Sequence, residues 1–409
     1  MVPPDAPLVP VFAFGANVTA LSVVRSFGRS RRAPVFLHAP KADLACRSRW
    51  YRPIPGSREG EPSARSLATF LEMSPVERAV LIPCSDHWVD AIAQLPESLA
   101  SRFPVSLAPP ETVRAFLDKG ELSALLTRVG VPHPRTVVPT CAEDLERLPE
   151  EAYEHAFLKP RASQRFLDHY KVKALHVRGR ADAAARFREV SSAGFQVLLQ
   201  EYIPGPPTGH YFIDGFVDGG GAVRARFARR RLRMYPEDFG NSTLMRSVPL
   251  AEVAPAIADL DRLLVHTRYR GIFSAEVKLD VRDGLYKLLE VNVRPWWYLD
   301  FAESCGIPFC ELYYRDALGL PLDGVNPTGH GPDGYDAGRL CAYPYFDFAL
   351  YNSMRGRGVP WRPSLLSCAW SWIRARQPIF AWDDPMPALT NFSFLVRRFV
   401  RYHILPFGK

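Results

Sequence analysis

The chain has 409 residues, 47% hydrophobic and 23% charged, which excludes an intrinsically disordered protein and leaves room for two or three domains with real cores. Its formal net charge of +8 favours phosphate-rich or acidic partners, although arginines on solvated faces give the same figure. No stretch reaches the ~20 predominantly apolar residues of a membrane span, and seven scattered cysteines without a C-x-x-C pair point away from a zinc module or disulfide framework.

Those cysteines fit a reducing cytoplasm. The N-terminal "MVPPDAPLVPVFAFGANVTALSVV" lacks the basic start of a signal peptide. A cytoplasmic protein is therefore expected. Residues 1–108 alternate apolar runs with helical stretches: "LVPVFAF", "APVFLHA" and "RAVLIPCSD" as strands, "VTALSVVRSFG" and "HWVDAIAQL" as helices. That alternation predicts βαβ units and an N-terminal parallel α/β domain. The "GAN" turn after the first strand does not match G-x-G-x-x-G, so no dinucleotide site is proposed there.

From Pro109 to about residue 320 the pattern changes. A helix is expected from Glu111 to Val129, stopped by Gly130. "HAFLKP" and "KVKAL" read as strands and "ADAAARFREVSSAG" as a helix. "FQVLLQEYIPG", "GHYFIDGFVDG" and "AVRARFARRRLRMYP" read as antiparallel strands. A helix near residues 254–269 precedes the strands "IFSAEVKLDV" and "LYKLLEVNVR", joined by an "RDG" turn. Residues 321–409 begin with a Gly/Pro/Asp-rich linker and continue as a Trp/Arg-rich extension holding Trp361, Trp370, Trp372 and Trp382.

The chemistry concentrates in the last hairpin of the middle region. Alternation along a strand puts Glu290, Asn292 and Arg294 on one face, with Val291 and Val293 on the other. Glu276 lies on the partner strand. Two carboxylates and a carboxamide oxygen are hard ligands that suit Mg²⁺ rather than zinc, and Mg²⁺ completes its shell with water and substrate phosphates. The site thus implies a nucleotide, and Arg294 beside it is placed to grip an anionic group. A surface network of Glu, Asn and Arg is the alternative for the hairpin alone. Lys159 at the end of an apolar strand, Lys173 on the next, and Lys119 at a helix start are candidate phosphate contacts. "VLLQEYIPG" offers backbone groups for an adenine edge.

In order, "LDKGELSALLTRVGVPHP", "FLKP", "KVKAL", "QEYIPG", "SAEVKLD" and "LEVNVRP" resemble the ATP-grasp superfamily of carboxylate–amine (or carboxylate–thiol) ligases over residues 108–320. The resemblance implies a two-lobed ATP-grasp core behind the N-terminal domain, with ATP between two α+β subdomains. Lys119, Lys159 and Lys173 would contact phosphates. Gln200, Glu201, Tyr202 and Ile203 would line the adenine pocket. Glu276, Glu290 and Asn292 would hold one or two Mg²⁺, with Mn²⁺ as a substitute, and Arg294 would steady an acyl phosphate. The implied reaction joins a small-molecule carboxylate to an amine with formation of ADP and phosphate. Relatives commonly form homodimers.

Three departures stand out. "RASQRFLDHYKVK" replaces the glycine-rich lid, leaving Arg161, Ser163, Gln164 and Arg165 for phosphate work. No acid follows the adenine strand at the ribose position, so His210 or Asp214 comes into consideration. Trp296, Trp297 and Tyr298 follow Arg294, which fits either a bulky, partly apolar substrate or core packing. On the arginine-rich strand Arg229, Arg231 and Arg233 share a face; Arg231 is a candidate acyl-phosphate contact, and Arg246 is expected on a "GNST" loop over the site. Two other readings remain. "FSFLVRRFVRYHILPF" and the extension's tryptophans fit either a helical unit packed on the core or a peripheral contact with the inner membrane face, in which case the acceptor would be a cell-envelope or polysaccharide precursor. The arginine content admits nucleic-acid binding, but no aromatic–basic module accompanies it, so none is expected.

Overall fold

The computed structural model describes residues 8–57, 64–161, 166, 169–237, 239–325, 328–329, 331–359 and 362–392. Near the N-terminus, β1 (Val11–Phe14), β2 (Val35–His38) and β3 (Val80–Pro83) form a parallel sheet in the order β2-β1-β3. Every residue of β1 and β3 is buried, because helices cover both faces. Helix Asn17–Ser30 packs on the side of Val11 and Ala13. Helices Ala64–Glu72 and Asp86–Ala93 pack on the side of Phe12 and Phe14.

The middle of the chain forms two antiparallel lobes. The smaller is a four-stranded sheet of β4 (Thr136–Val137), β7 (Val197–Glu201), β5 (Ala156–Pro160) and β6 (Leu175–His176), backed by helices Ala142–Glu146 and Arg180–Ser192. The larger is a six-stranded sheet in the order β12-β11-β8-β9-β10-β13. Its strands are β8 (His210–Val217), β9 (Val223–Tyr235), β10 (Asn241–Val248), β11 (Gly271–Leu279), β12 (Tyr286–Asn292) and β13 (Leu340–Ala342). Alternation sorts β11: Phe273, Ala275 and Val277 face a core with helices Pro110–Leu117, Lys119–Val129 and Ala254–His266, while Ser274, Glu276 and Lys278 face the other way. That second face runs from Phe216, Phe227 and Ile272, which share one core with the N-terminal domain, to charged residues at its opposite end.

Helices Pro344–Gly356 and Leu365–Arg374 pack against this sheet through buried Asp347, which accepts from Thr243 Oγ1 (2.7 Å) and Trp372 Nε1 (2.7 Å) and pairs with Arg233 (3.0 Å). Asp384, also buried, accepts from Arg25 Nε (3.0 Å) and Ser48 Oγ (2.8 Å), stitching the extension to the N-terminal domain. As far as Phe392, then, the extension is packed on the core. Trp361, the lid residues Ser163, Gln164 and Arg165, and residues 393–409, which hold most of the basic–aromatic ending, lie outside the described residues.

Several expectations need revision. The helix expected over Glu111–Val129 is two helices, because Asp118 leaves helical geometry and caps the second through the amides of Gly120 and Glu121. Asn241, Ser242 and Thr243 of "GNST" and Arg246 are not a loop but part of β10, hydrogen-bonded between β9 and β13. Lys171 and Lys173 precede the short β6 rather than lying on it. The arginine face of β9 is interior, and each arginine meets an acid: Arg229 with Asp214, Arg231 with Glu276, Arg233 with Asp347.

Candidate active site

The β11–β12 hairpin turns at Arg282–Asp283–Gly284, where Gly284 takes a φ of +72° that L side chains rarely adopt. The turn fixes the register so that Glu276 lies directly opposite Glu290, and Ser274 opposite Asn292. Paired residues on one face have Cβ atoms about 5 Å apart, so two like charges stand side by side, an arrangement that costs stability unless a cation intervenes. Glu276 has such company: its Oε1 accepts from His210 Nδ1 (2.9 Å) and Arg231 Nη2 (3.0 Å). Burial pushes its carboxyl up, but Arg231 and then His210 outweigh this and hold it well below the usual range. Burial also lowers His210 against the pull of Glu276, leaving its ring neutral near pH 7 with the Nδ1 proton directed at the carboxylate. Glu290 is half-buried and makes no hydrogen bond or ion pair with the described residues.

Arg294, just past β12, donates to Asn292 Oδ1 (3.2 Å) and to Asp86 Oδ1 (2.6 Å). Asp86 begins helix Asp86–Ala93, so this guanidinium ties the hairpin to the N-terminal domain. Burial raises the Asp86 carboxyl, and the Arg294 charge more than reverses that.

The smaller lobe brings cations. Lys159 on β5 is pushed down by burial, with Glu290 the largest opposing influence; Lys173 is lowered by burial too, with Glu276 opposing. Both ammonium groups therefore sit in the field of the hairpin carboxylates. Lys173 Nζ also donates to Asn241 Oδ1 on β10 (2.8 Å), bridging the lobes. Lys119 Nζ donates to the Arg161 carbonyl just beyond β5 (3.3 Å), and the Arg161 guanidinium returns to the Asp118 cap.

At the end of β7, Gln200 is buried and donates to Thr136 Oγ1 (3.1 Å). The Glu201 carboxylate is held by the Arg135 amide (3.1 Å) and Arg282 (2.7 Å). The Glu201 and Tyr202 amides already donate to the carbonyls of Arg135 (2.9 Å) and His155 (2.7 Å). Ile203 is buried, and its amide has no acceptor among the described residues. Lys278 Nζ sits 4.6 Å from the centre of the Tyr202 ring, its pKa pushed down to about 8 by burial and then by Arg231.

Two candidates fall elsewhere. Asp214 is fully buried in its pair with Arg229 (2.7 Å) and accepts from Ser274 Oγ (2.6 Å), so no oxygen is left for a ribose; His210 remains at the site. Arg246 is exposed and lines a separate cavity with Arg339 and Arg376. Trp296 and Tyr298 are packing residues, with Trp296 against Phe309 and the Tyr298 hydroxyl donating to the Ser242 carbonyl (2.6 Å). Lys278, Asp86 and Asn241 were not singled out from the sequence. Lys278 was within reach, since it shares a face with Glu276 two residues earlier.

Among the described residues no group of three His, Cys, Asp or Glu side chains could hold a metal. Glu276, Glu290 and Asn292 provide two carboxylates and an amide oxygen, a set that fits a hard cation completing its shell from water and phosphate oxygens.

No family model matches the chain. It is similar to the D-aspartate ligase of Enterococcus faecium, 23% identical over 253 residues; the match covers 59% of this chain and 59% of that relative's length, less than two thirds of it. Among solved structures it is similar to the L-amino acid ligase of Bacillus licheniformis, with a TM-score of 0.56 and 14% identity over 76% of this chain and 74% of that one. The carboxyaminoimidazole ribonucleotide synthase of Aspergillus clavatus, solved with ATP, gives a TM-score of 0.61 and 14% identity over 86% and 87% of the two chains. The biotin carboxylase domain of the Hydrogenobacter thermophilus 2-oxoglutarate carboxylase, solved with MgADP and bicarbonate, gives 0.61 and 13% over 80% and 73%. The mixed α/β architecture, a parallel sheet followed by two antiparallel lobes, is the ATP-grasp fold.

Proposed function

From the ATP-grasp fold of this chain, we propose that it is an ATP-dependent carboxylate–amine ligase: ATP, a carboxylate and an amine give ADP, phosphate and an amide. The observation that carries the proposal is the Glu276–Glu290 pair on the larger lobe, with Lys159 and Lys173 of the smaller lobe held in its field. ATP lies between the lobes, its adenine edge at the Glu201–Ile203 backbone, where the Ile203 amide is the donor left over, and its phosphates among Lys119, Lys159 and Lys173.

A substrate carboxylate oxygen attacks the γ-phosphorus and ADP leaves, giving an acyl phosphate. The amine then adds to the acyl carbon, loses its proton, and phosphate departs with the former carboxylate oxygen. Glu276, Glu290 and Asn292 would hold Mg²⁺, which supplies charge neutralisation at the transferring phosphoryl group. Lys159 and Lys173 balance the same charge from the other side, and Arg231, beside Glu276, is placed to meet the phosphoryl oxygens. Arg294, oriented by Asp86, presents its fork to the carboxylate being activated. Two small-molecule substrates and a cytoplasmic setting belong to this proposal.

The test is phosphate release from MgATP across a panel of amino acids, peptides and sugar acids, with mass spectrometry of the products. The expected hit yields ADP and a product weighing the two substrates less one water. Absence of ATP binding would overturn the reading.

A further inference from the structure

Outside the active site, the C-terminal extension carries an arrangement that ligation does not use. Beyond Asp347 the sequence holds nine arginines and lysines and two acids, Asp383 and Asp384. Both acids are consumed within the protein, Asp384 by Arg25 and Asp383 by Arg29. Helix Leu365–Arg374 turns Cys368 inward, yet Leu366, Trp370 and Ile373 point outward, 83%, 61% and 76% exposed. Spaced i, i+4, i+7, they form one stripe, the reverse of what a helix buried on one side requires.

The stripe ends at a cationic basin. Arg374 lies over the Trp370 ring, 5.6 Å from its centre, and also lines a cavity of about 640 Å³ with Arg246, Arg339 and Arg376. No carboxylate lines that cavity; Asp300 reaches Arg376 from behind, at 2.7 Å. Arg246, Arg339 and Arg374 are exposed and meet no acid among the described residues. Three converging guanidiniums repel one another, and their forks suit phosphate. A bulky apolar stripe bordered by unmatched arginines is the composition of an interfacial helix, with apolar groups at the acyl boundary and cations at headgroup level.

We propose that this face docks on an anionic phospholipid surface, with Leu366, Trp370 and Ile373 entering the interface and Arg246, Arg339 and Arg374 receiving lipid phosphates. The contact is peripheral: among the described residues no helix is long and apolar enough to cross a membrane. It is independent of the ligase reading, since neither set of residues touches the Glu276–Glu290 hairpin.

The experiment is co-sedimentation of the full chain with vesicles of phosphatidylcholine alone and of phosphatidylcholine mixed with phosphatidylglycerol. Thermal melting checks that each variant is folded. The wild type is expected to partition to the mixed vesicles only, and less so as salt is raised. The triple change Arg246→Gln, Arg339→Gln, Arg374→Gln is expected to weaken partitioning about 100-fold, at about fivefold per arginine. Leu366→Ser, Trp370→Ser, Ile373→Ser together are expected to abolish it with melting unchanged. Equal binding to both vesicle types, or folded variants that bind like the wild type, would overturn the proposal. So would a shift of the serine variant to a smaller assembly, which would make a second copy of the chain the occupant. Stabilisation by pyrophosphate without vesicle binding would make the basin a site for soluble phosphates, and the membrane contact would fall.

Discussion

Two neighbouring ion sets on one face of the six-stranded sheet use the same residue types to opposite effect. In one, Arg229 and Asp214 close on each other at 2.7 Å, with Ser274 on the remaining oxygen and the rings of Phe212 and Tyr298 against the guanidinium. In the other, Glu290 stands opposite Glu276 with no hydrogen bond or ion pair of its own among the described residues, in the field of Arg294 and of Lys159 from the other lobe. A buried ion that is matched within its own sheet is part of the architecture. A carboxylate left unmatched beside another is a standing cost to the fold, retained where a ligand supplies the missing charge.

The largest effect is expected at Glu290. Glu290→Gln is expected to lower ATP turnover at least about 1000-fold while leaving the melting temperature unchanged or higher, as expected for a charge-stabilising group at a phosphoryl-transfer site. Unchanged turnover would remove the metal role. Asp214→Ala should do the converse: it leaves Arg229 buried and uncompensated, and should cost roughly 3–5 kcal/mol in chemical denaturation. Had Asp214 a direct part in catalysis, a folded Asp214→Asn variant would lose turnover outright.

Arg294→Ala sharpens the contrast within the Glu276–Glu290 set. It should keep ATP affinity, measured by calorimetry, but lose about 100-fold in ligation, because the proposed reaction assigns it to the activated carboxylate rather than the nucleotide. A matching loss of ATP affinity would move Arg294 to the phosphates.

The smallest effect belongs to Glu303, which lies in neither set. Burial pushes its carboxyl up to about 7, with the Cys310 amide (3.0 Å) only partly opposing. The native state therefore holds a proton that the unfolded chain releases nearer pH 4.5, so stability falls as pH rises between those values and stays low above them. Glu303→Gln should be more stable than the wild type at pH 8 by about 1 kcal/mol after discounting for partial exposure, and no different near pH 4.5. Thermal melts across that range would detect it.

Much of this was legible in the sequence because it depends on local rules. The Asp283–Gly284 turn and the period of two put Glu276 against Glu290, and an apolar run ending in Lys159 marks a strand aimed at a cleft. The break at Asp118 was also readable, since Asp followed by Lys-Gly-Glu is a helix start. What was not legible depends on partners far along the chain. Asp86 lies 208 residues from the arginine it orients. Asp214 looks available until Arg229, diagonal to it on the next strand, is known to pair with it. Arg246 was expected on a loop because the strand that closes over it, β13, comes from about 95 residues further along the chain.

The most direct test of the central claim is isotope transfer. Once the panel identifies the carboxylate, it is supplied with both oxygens as ¹⁸O, together with MgATP and the amine, and the released phosphate is weighed. Activation through an acyl phosphate predicts one ¹⁸O in each phosphate formed. Phosphate free of the label, with amide still produced, would contradict the account.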